Sequence, residues 1–327
     1  MGATHAEGWK SLASEGVELV GVVANRPDGT GDRLAKQHGF TVYDTYEQLL
    51  KDVDVIDICA PTNLHRELVL AAAAAGKHIL CEKPIALNLA DGREMIEACK
   101  RANVRLFIAM VVRFFAQYRA AQRVVTAGEI GQPCVIRLTR VAYQPRKAFD
   151  NWFLDEARSG GMILDMMIHD FDYARWLAGD VTRVFAKSVR SNRPDAPGDY
   201  ALVTLRFAGG AIGHIEGGWA YPEGIFRTGM DIAGRDGVIE WKSDHSDTVR
   251  TYLSQPPAQQ SAEVGLPVSA TSESPYTTEI RHFYDALVHN KPFDVTPEDS
   301  LAALQIALAA RESAKTGRGV TINQEAI

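Results

Sequence analysis

The sequence predicts an α/β protein: a doubly wound parallel sheet in the N-terminal part, then an α+β part with a mostly antiparallel sheet. Three observations lead there. From Val17 to Val112 apolar runs without alternation are separated by helical stretches, the pattern of strands buried on both faces. Beyond about residue 113, strand-like runs follow one another through two-residue turns, which join antiparallel neighbours. A chain of 327 residues also exceeds one typical core. The expected division is residues 1–113 for the first domain and residues 114–327 for the second.

In order, the parallel strands are expected at Val17–Ala24, Phe40–Tyr43, Val53–Ala60, His78–Cys81 and Arg105–Val112. Helices fall between them, most clearly at Asn63–Ala75 and Asn88–Ala102. Gly76 and Asn103 are their stops, because both residue types tolerate the left-handed backbone that ends a helix. In the second part Gly160-Gly161 precedes one long apolar helix, about Met162–Leu177. Strands are then expected at Val181–Ser188, Tyr200–Phe207, Ala211–Tyr221, Thr228–Ala233 and Gly237–Trp241. Gly209-Gly210 and Asp236-Gly237 are hairpin turns between them. Ser254–Ser274 reads as a long loop, and two helices, about Tyr276–His289 and Pro297–Thr316, close the chain.

The composition, 46% hydrophobic and 23% charged, is that of an ordinary globular protein. A net charge of −6 argues against nucleic acid or an anionic membrane as partner. No run of about 20 apolar residues is present to span a bilayer. Cys59, Cys81, Cys99 and Cys134 lie too far apart in sequence for the close pairs of a zinc site, so no metal is expected. The N-terminus shows no basic segment followed by an apolar core, and the expected compartment is the cytoplasm.

In open parallel sheets, ligands bind beyond the carboxyl ends of the strands. Those exits read Ala24-Asn25-Arg26, Pro61-Thr62-Asn63-Leu64-His65, Glu82-Lys83-Pro84 and Arg113. Any one of them is explained by loops being polar; together they fit a cofactor cleft. Lys83 stands out, because it leaves an apolar strand and Pro84 restricts it to extended geometry. The second constellation runs from Gly160 to Asp172. Asp165 and His169, four apart, are expected on one helix face with Asp172 near it. The helix is apolar enough to be buried, and burying an ionisable pair is costly unless it is matched or used. A structural Asp–His pair is one alternative. A metal site is another, but it needs a third ligand that no nearby Cys or His supplies. His38, His214, His282 and His289 read as structural or solvated. Arg113, Tyr143, Trp152, Asp155 and Tyr284 are polar and aromatic candidates for substrate contact.

Cys81-Glu82-Lys83-Pro84 resembles the Glu-Lys-Pro motif of the glucose–fructose oxidoreductase/inositol dehydrogenase/MocA (Gfo/Idh/MocA) family. Gly160-Gly161 through Asp165 and His169 resembles that family's Gly-Gly-x-x-x-Asp-x-x-x-His motif. Pro61–His65 looks like its cofactor-contacting turn, and Gly128-Glu129-Ile130-Gly131 like a segment that follows its domain crossover. The resemblance runs from about Gly2 to the final helix. It implies a Rossmann-type first domain and an NAD(P)-dependent oxidoreductase acting on a sugar, cyclitol or related polyol. It implies a homodimer or homotetramer. It also implies Lys83, Asp165 and His169 as the catalytic set, with Arg113 and Trp152 beside them at the substrate. Cofactor contacts would come from Gly2, Ala24, Asn25, Arg26, Pro61, Thr62, Asn63, His65, Glu82, Lys83 and Arg113. The residue chemistry agrees with this assignment. Removing hydride from an alcohol carbon requires the hydroxyl proton to leave, and a histidine near neutral pH is the natural base. Asp165 would orient it, and Lys83 would favour negative charge on the reacting oxygen.

Two departures from the family pattern matter. Its Rossmann domain opens with a strand and Gly-x-Gly-x-x-Gly, whereas Met1–Ala6 looks like the tail of that loop, with Gly2 as its last glycine. In the strand order 3-2-1-4-5-6 the first strand is central, so its two neighbours are expected to lack a partner, and a native start roughly 10 to 20 residues upstream is expected. Second, no carboxylate ends the second strand; Arg26 instead suits a 2′-phosphate, which tilts the expectation towards NADP over NAD. Two rivals stand beside the dehydrogenase. One is a non-catalytic or cofactor-impaired homologue, and the other a lyase or hydrolase using transient oxidation by tightly bound NAD.

Overall fold

Five short strands form inside the five apolar runs of the N-terminal part: β1 (Gly21–Val22), β2 (Thr41–Val42), β3 (Val55–Ile58), β4 (His78–Glu82) and β5 (Leu106–Ala109). Only β4 outruns its expected bounds, by one residue, and that residue is Glu82. The structure is a computed structural model that describes residues 1–24, 29–145, 150–189, 200–244, 249–253 and 273–323. The intervening helices are α1 (Gly2–Lys10), α2 (Thr30–His38), α3 (Tyr46–Asp52), α4 (His65–Ala74) and α5 (Leu89–Arg101). Local chemistry sets their ends. Thr45 and Gln48 form a reciprocal capping box at the start of α3. The Asn88 side chain accepts the Asp91 N–H at the start of α5. Gly76 (φ 71°) and Asn103 (φ 52°) take the left-handed backbone expected of them as stops.

All the ladders of this part are parallel, but they form two sheets, β1–β2 and β3–β4–β5. Among the described residues β1 and β3 share no ladder, so each is paired on one side only. That is the open pairing expected of the two strands that flank the first strand of such a sheet.

The chain divides into two compact units, Met1–Val111 with Glu273–Ser300, and Val112–Ser272 with Leu301–Ile327. This differs from a cut at residue 113, because α10 (Pro275–Val288) packs within the first unit. There Trp9 of α1 meets Phe283 edge-on, and the Tyr284 hydroxyl donates to the Glu15 carbonyl at 2.9 Å. Phe107 of β5 joins Phe283 and Phe293 in the same aromatic cluster. Contacts so distant in sequence leave no local periodicity to read.

The second unit holds an eight-stranded sheet. Its strands are β6 (Pro133–Tyr143), β7 (Val181–Val189), β8 (Tyr200–Phe207), β9 (Ile212–Tyr221), β10 (Phe226–Gly234), β11 (Gly237–Lys242), β12 (Arg250–Leu253) and β13 (Val320–Thr321). They lie in the order β12-β11-β10-β6-β9-β8-β7-β13, antiparallel throughout except for the β6–β9 pair. Both expected hairpins form, β8–β9 and β10–β11. On β8 the alternation is clean: Ala201, Val203, Leu205 and Phe207 are buried while Leu202, Thr204 and Arg206 are exposed. Strand β6 was not foreseen, because the inward-facing position 140 is an arginine and breaks the apolar alternation. Most of the expected loop Ser254–Ser274 lies outside the described residues.

The long apolar helix does not form as one piece. It breaks into α8 (Gly161–Asp165) and α9 (Ile168–Ala178), after the short α6 (Ala116–Thr126) and α7 (Glu156–Ser159). At the break the Met167 N–H reaches back five residues to the Met162 carbonyl at 3.3 Å. Met167 is pressed against β9, where a Cβ at Gly217 would lie 2.3 Å from the Met167 Cγ. The backbone bends to seat a methionine on a glycine, and no spacing rule anticipates that. The last helix, α11, covers Pro297–Thr316 as expected.

Candidate active site

Strand β4 carries Glu82 and Lys83 to its carboxyl end. Its ladder to β3 ends at Cys81 and its ladder to β5 at Glu82, so Lys83 is the first residue beyond the sheet. The Glu82 carboxylate takes over there, accepting the Lys83 backbone N–H at 3.1 Å. Lys83 itself is half-buried and is joined to Pro84 by a cis peptide bond. The next carbonyl, that of Pro84, faces His65 Nδ1 at 2.9 Å, while His65 Nε2 faces the Ala60 carbonyl at 3.1 Å. Burial lowers the pKa of this imidazole, opposed by its contacts with the Ala60 and Pro84 carbonyls. The His65 side chain therefore ties the exit of β3 to the exit of β4.

The other expected cofactor residues of the first unit lie at its strand exits and at the start of α1. Gly2 opens α1, whose N-terminus has no side-chain cap. Ala24 follows β1, with Gly31 of α2 so close that a Cβ there would lie 2.7 Å from the Ala24 Cβ. In the turn after β3, Pro61 is half-buried and Asn63 exposed. Thr62 is buried, and its hydroxyl has no hydrogen-bond partner among the described residues. Asn25 and Arg26 lie outside the described residues. These features fit a dinucleotide: an uncapped helix start suits a pyrophosphate, and a buried hydroxyl lacking a partner suits a polar ligand at the strand exits.

In the second unit Asp165 ends α8, 7% exposed, and His169 is the second residue of α9, half-buried. They stand on either side of the Met166-Met167 break rather than on the face of one helix. Arg113, expected at the ligand, is held by a carboxylate of its own unit. Its Nε and Nη2 donate to the two oxygens of Asp172 at 2.7 and 2.6 Å, and its guanidinium lies 5.0 Å from the Trp176 ring centroid. With Arg113 and Asp172 each 1% exposed, this bidentate pair is an anchor. Arg140 and Asp170 form a second one, at 2.7 and 3.1 Å. Trp152 is half-buried and stacked on Phe153. Tyr143 is exposed, Asp155 caps α7, and Tyr284 belongs to the α10 packing already described.

The sequence reading missed a cluster inside the first unit. His5 Nδ1 lies 2.9 Å from Asp57 Oδ2, which also accepts the Trp9 indole N–H at 2.7 Å. His5 Nε2 lies 3.3 Å from Glu82 Oε1, an ion-pair contact rather than an aligned hydrogen bond. Burial opposes the imidazolium, but Asp57 and its neighbours hold the His5 pKa well above the ordinary range. Burial likewise opposes the carboxylates of Asp57 and Glu82, yet contact with His5 keeps both below theirs. Glu279 of α10 is fully buried with neither oxygen hydrogen-bonded among the described residues. Burial, reinforced by the nearby Glu82 and Asp57, pushes its carboxyl well up. The ligand-type atoms of His5, Asp57 and Cys59 lie within 4.8 Å of one another. A metal there would have to displace two protons, because burial and Asp57 push the Cys59 thiol to about 12 and His5 is held as the cation. One signal was available: Glu279 lies four residues before Phe283, on the apolar stripe of its helix.

The sequence matches two family descriptions in turn, "Oxidoreductase family, NAD-binding Rossmann fold" over residues 1–110 and "GFO/IDH/MocA C-terminal domain" over residues 118–240. It is 32% identical over 332 residues to the myo-inositol 2-dehydrogenase of Thermotoga maritima, covering 99% of this chain and 96% of that protein. It is 29% identical to the 1,5-anhydro-D-fructose reductase of Ensifer adhaerens, covering 98% and 96%. Among solved structures, GenD2 from gentamicin A biosynthesis in complex with NAD superposes with a TM-score of 0.85 at 25% identity, covering 99% of this chain and 93% of that one.

Proposed function

This chain belongs to the Gfo/Idh/MocA oxidoreductase family, and we propose that it oxidises a hydroxyl-bearing carbon of a cyclitol or sugar with Lys83, Asp165 and His169. The observation that carries the reading is the pairing of these residue types with their settings: a half-buried lysine just beyond β4, a buried carboxyl ending α8 and a half-buried imidazole opening α9. The relatives named for inositol and anhydrofructose chemistry support the substrate class.

The α1 N-terminus, the Pro61–Asn63 turn and Lys83 would hold the dinucleotide. When bound, the nicotinamide supplies the acceptor for the hydride that leaves the alcohol carbon. His169 takes the hydroxyl proton as the C=O bond forms, and Asp165 favours its charged form. The Lys83 ammonium donates to the same oxygen and stabilises its developing charge. In the reverse direction His169 returns the proton to a carbonyl.

A coenzyme-reduction screen over cyclitols, aldoses and their keto forms tests the reading. Replacing His169→Asn is expected to lower turnover by roughly 10²- to 10⁴-fold while sparing coenzyme binding. Unchanged turnover would sink the reading, and turnover without net change in NAD(P)H absorbance would favour transient oxidation in a lyase or hydrolase. The absence of a carboxylate at Ala24-Asn25-Arg26 favours NADP over NAD. The ratio of kcat/KM for the two coenzymes decides it, a strong NAD preference overturning it. For self-association, the exposed face of the eight-stranded sheet with Phe185, Leu202 and Ile212 is the favoured surface. Sedimentation is expected to give a dimer or tetramer that Leu202→Glu weakens.

A further inference from the structure

We propose that His5 is a positioning residue for Lys83, acting through the Glu82 carboxylate. The proposal rests on the reading of Lys83 as the group that binds the reacting oxygen. Its basis is a short chain of contacts within the first unit. Lys83 leaves the sheet where both ladders of β4 have ended, so its N–H has no strand to bond. Glu82 Oε2 supplies the acceptor at 3.1 Å, and Glu82 Oε1 faces His5 Nε2 at 3.3 Å. The far side of the His5 ring is fixed in turn, with Nδ1 at 2.9 Å from Asp57 Oδ2 and that oxygen tied to the Trp9 indole.

An imidazole with a carboxylate at each nitrogen must be the cation, because the neutral ring would turn a lone pair towards one of them. The groups facing it come from every neighbouring element: Asp57 and Cys59 at the end of β3, Glu82 on β4, and Glu279 from α10. Lys83 is a further positive charge near Glu82. Without the cation, Glu82 would face the Asp57 carboxylate with less positive charge to offset it, and would no longer be drawn to the place where the Lys83 N–H needs it. The His65 tie to the Pro84 carbonyl holds the other side of the same dipeptide. Together the two ties fix the backbone from which the Lys83 ammonium is extended.

The test measures kcat per coenzyme-binding site, together with coenzyme Kd, for His5→Gln, Glu82→Gln, their double variant and Lys83→Met. His5→Gln is expected to lower kcat about tenfold and to leave coenzyme Kd within about twofold, since a misplaced catalytic group affects chemistry more than binding. The double variant should be no slower than the worse single one, because both act along one path. In the Lys83→Met background, His5→Gln should change the residual rate by nothing further. A purely structural His5 would instead lower the number of binding sites without altering kcat per site, and that outcome overturns the proposal. Wild-type turnover in Lys83→Met would overturn the Lys83 reading itself, whatever His5 does. If His5→Gln fails to fold, the near-isosteric Glu82→Gln carries the same measurement: wild-type kcat per site there, with Lys83→Met inactive, overturns the positioning role.

Discussion

The two units bury charge in opposite ways. In the second, each buried guanidinium meets one buried carboxylate face to face, Arg113 with Asp172 and Arg140 with Asp170. In the first, one imidazole serves Asp57 and Glu82, while Glu279 lies close by with neither oxygen hydrogen-bonded among the described residues. Bidentate pairs return part of their desolvation through two aligned hydrogen bonds, though burial still raises the Asp170 carboxyl. A mismatched cluster leaves part of that cost standing, and such costs persist where they shape a site. The contrast identifies α9 as architecture at both Asp170 and Asp172, and the end of β4 as the more highly strung part of the molecule.

Breaking a matched pair should have the largest effect. Asp172→Ala leaves the Arg113 guanidinium buried without its partner and is expected to cost about 3 to 5 kcal/mol, read as a fall in the denaturant midpoint. A loss under about 1 kcal/mol would mean that water or another group replaces the carboxylate, and the contrast with the first unit would fade.

The mismatched cluster should reveal itself through pH. Glu279 keeps its proton in the folded chain well above the ordinary value of 4.5, so the folded state binds a proton that the unfolded chain has released. Stability therefore falls as pH rises from that value through the raised one. His5, also raised, has the same sign: its contribution is full below its ordinary 6.5 and is lost as pH climbs through its folded pKa. Asp57 and Glu82, both lowered, act on the acid side, where their contribution disappears as pH falls through their folded values. Glu279→Gln should thus flatten the alkaline decline by about 1.4 kcal/mol per pH unit. Denaturation midpoints measured from pH 4.5 upwards test this; an unchanged slope would show that the carboxyl ionises as it does in the unfolded chain.

The smallest effect concerns a helix that belongs to neither set of buried charges. Thr45→Ala removes the capping box of α3 and should cost about 1 kcal/mol, seen as a small drop in midpoint at every pH. A pH-dependent loss would tie α3 to the cluster and blur the comparison.

Much of this was legible without coordinates. Continuous apolar runs placed all five parallel strands, Gly76 and Asn103 marked their helix ends, and two glycine-bearing turns placed the hairpins. The residues proposed as catalytic, Lys83, Asp165 and His169, stand out by position, spacing and family likeness. Strand β6 was hidden by Arg140, whose inward place makes sense only beside Asp170. Position alone suits Arg113 to a ligand contact or to a salt bridge, and it does not name an acid 59 residues away as the partner.

The sequence by itself determined which segments become strands or helices and which residue types reach the strand exits, because periodicity and turn chemistry act over a few residues. Tertiary structure decided where the apolar helix breaks, which unit receives α10, and which charge each buried charge meets. Those outcomes depend on contacts between residues such as His5 and Asp57, 52 apart in the chain. No local pattern records such a meeting, since burial energy depends on the partner present in the fold rather than on the neighbours in sequence.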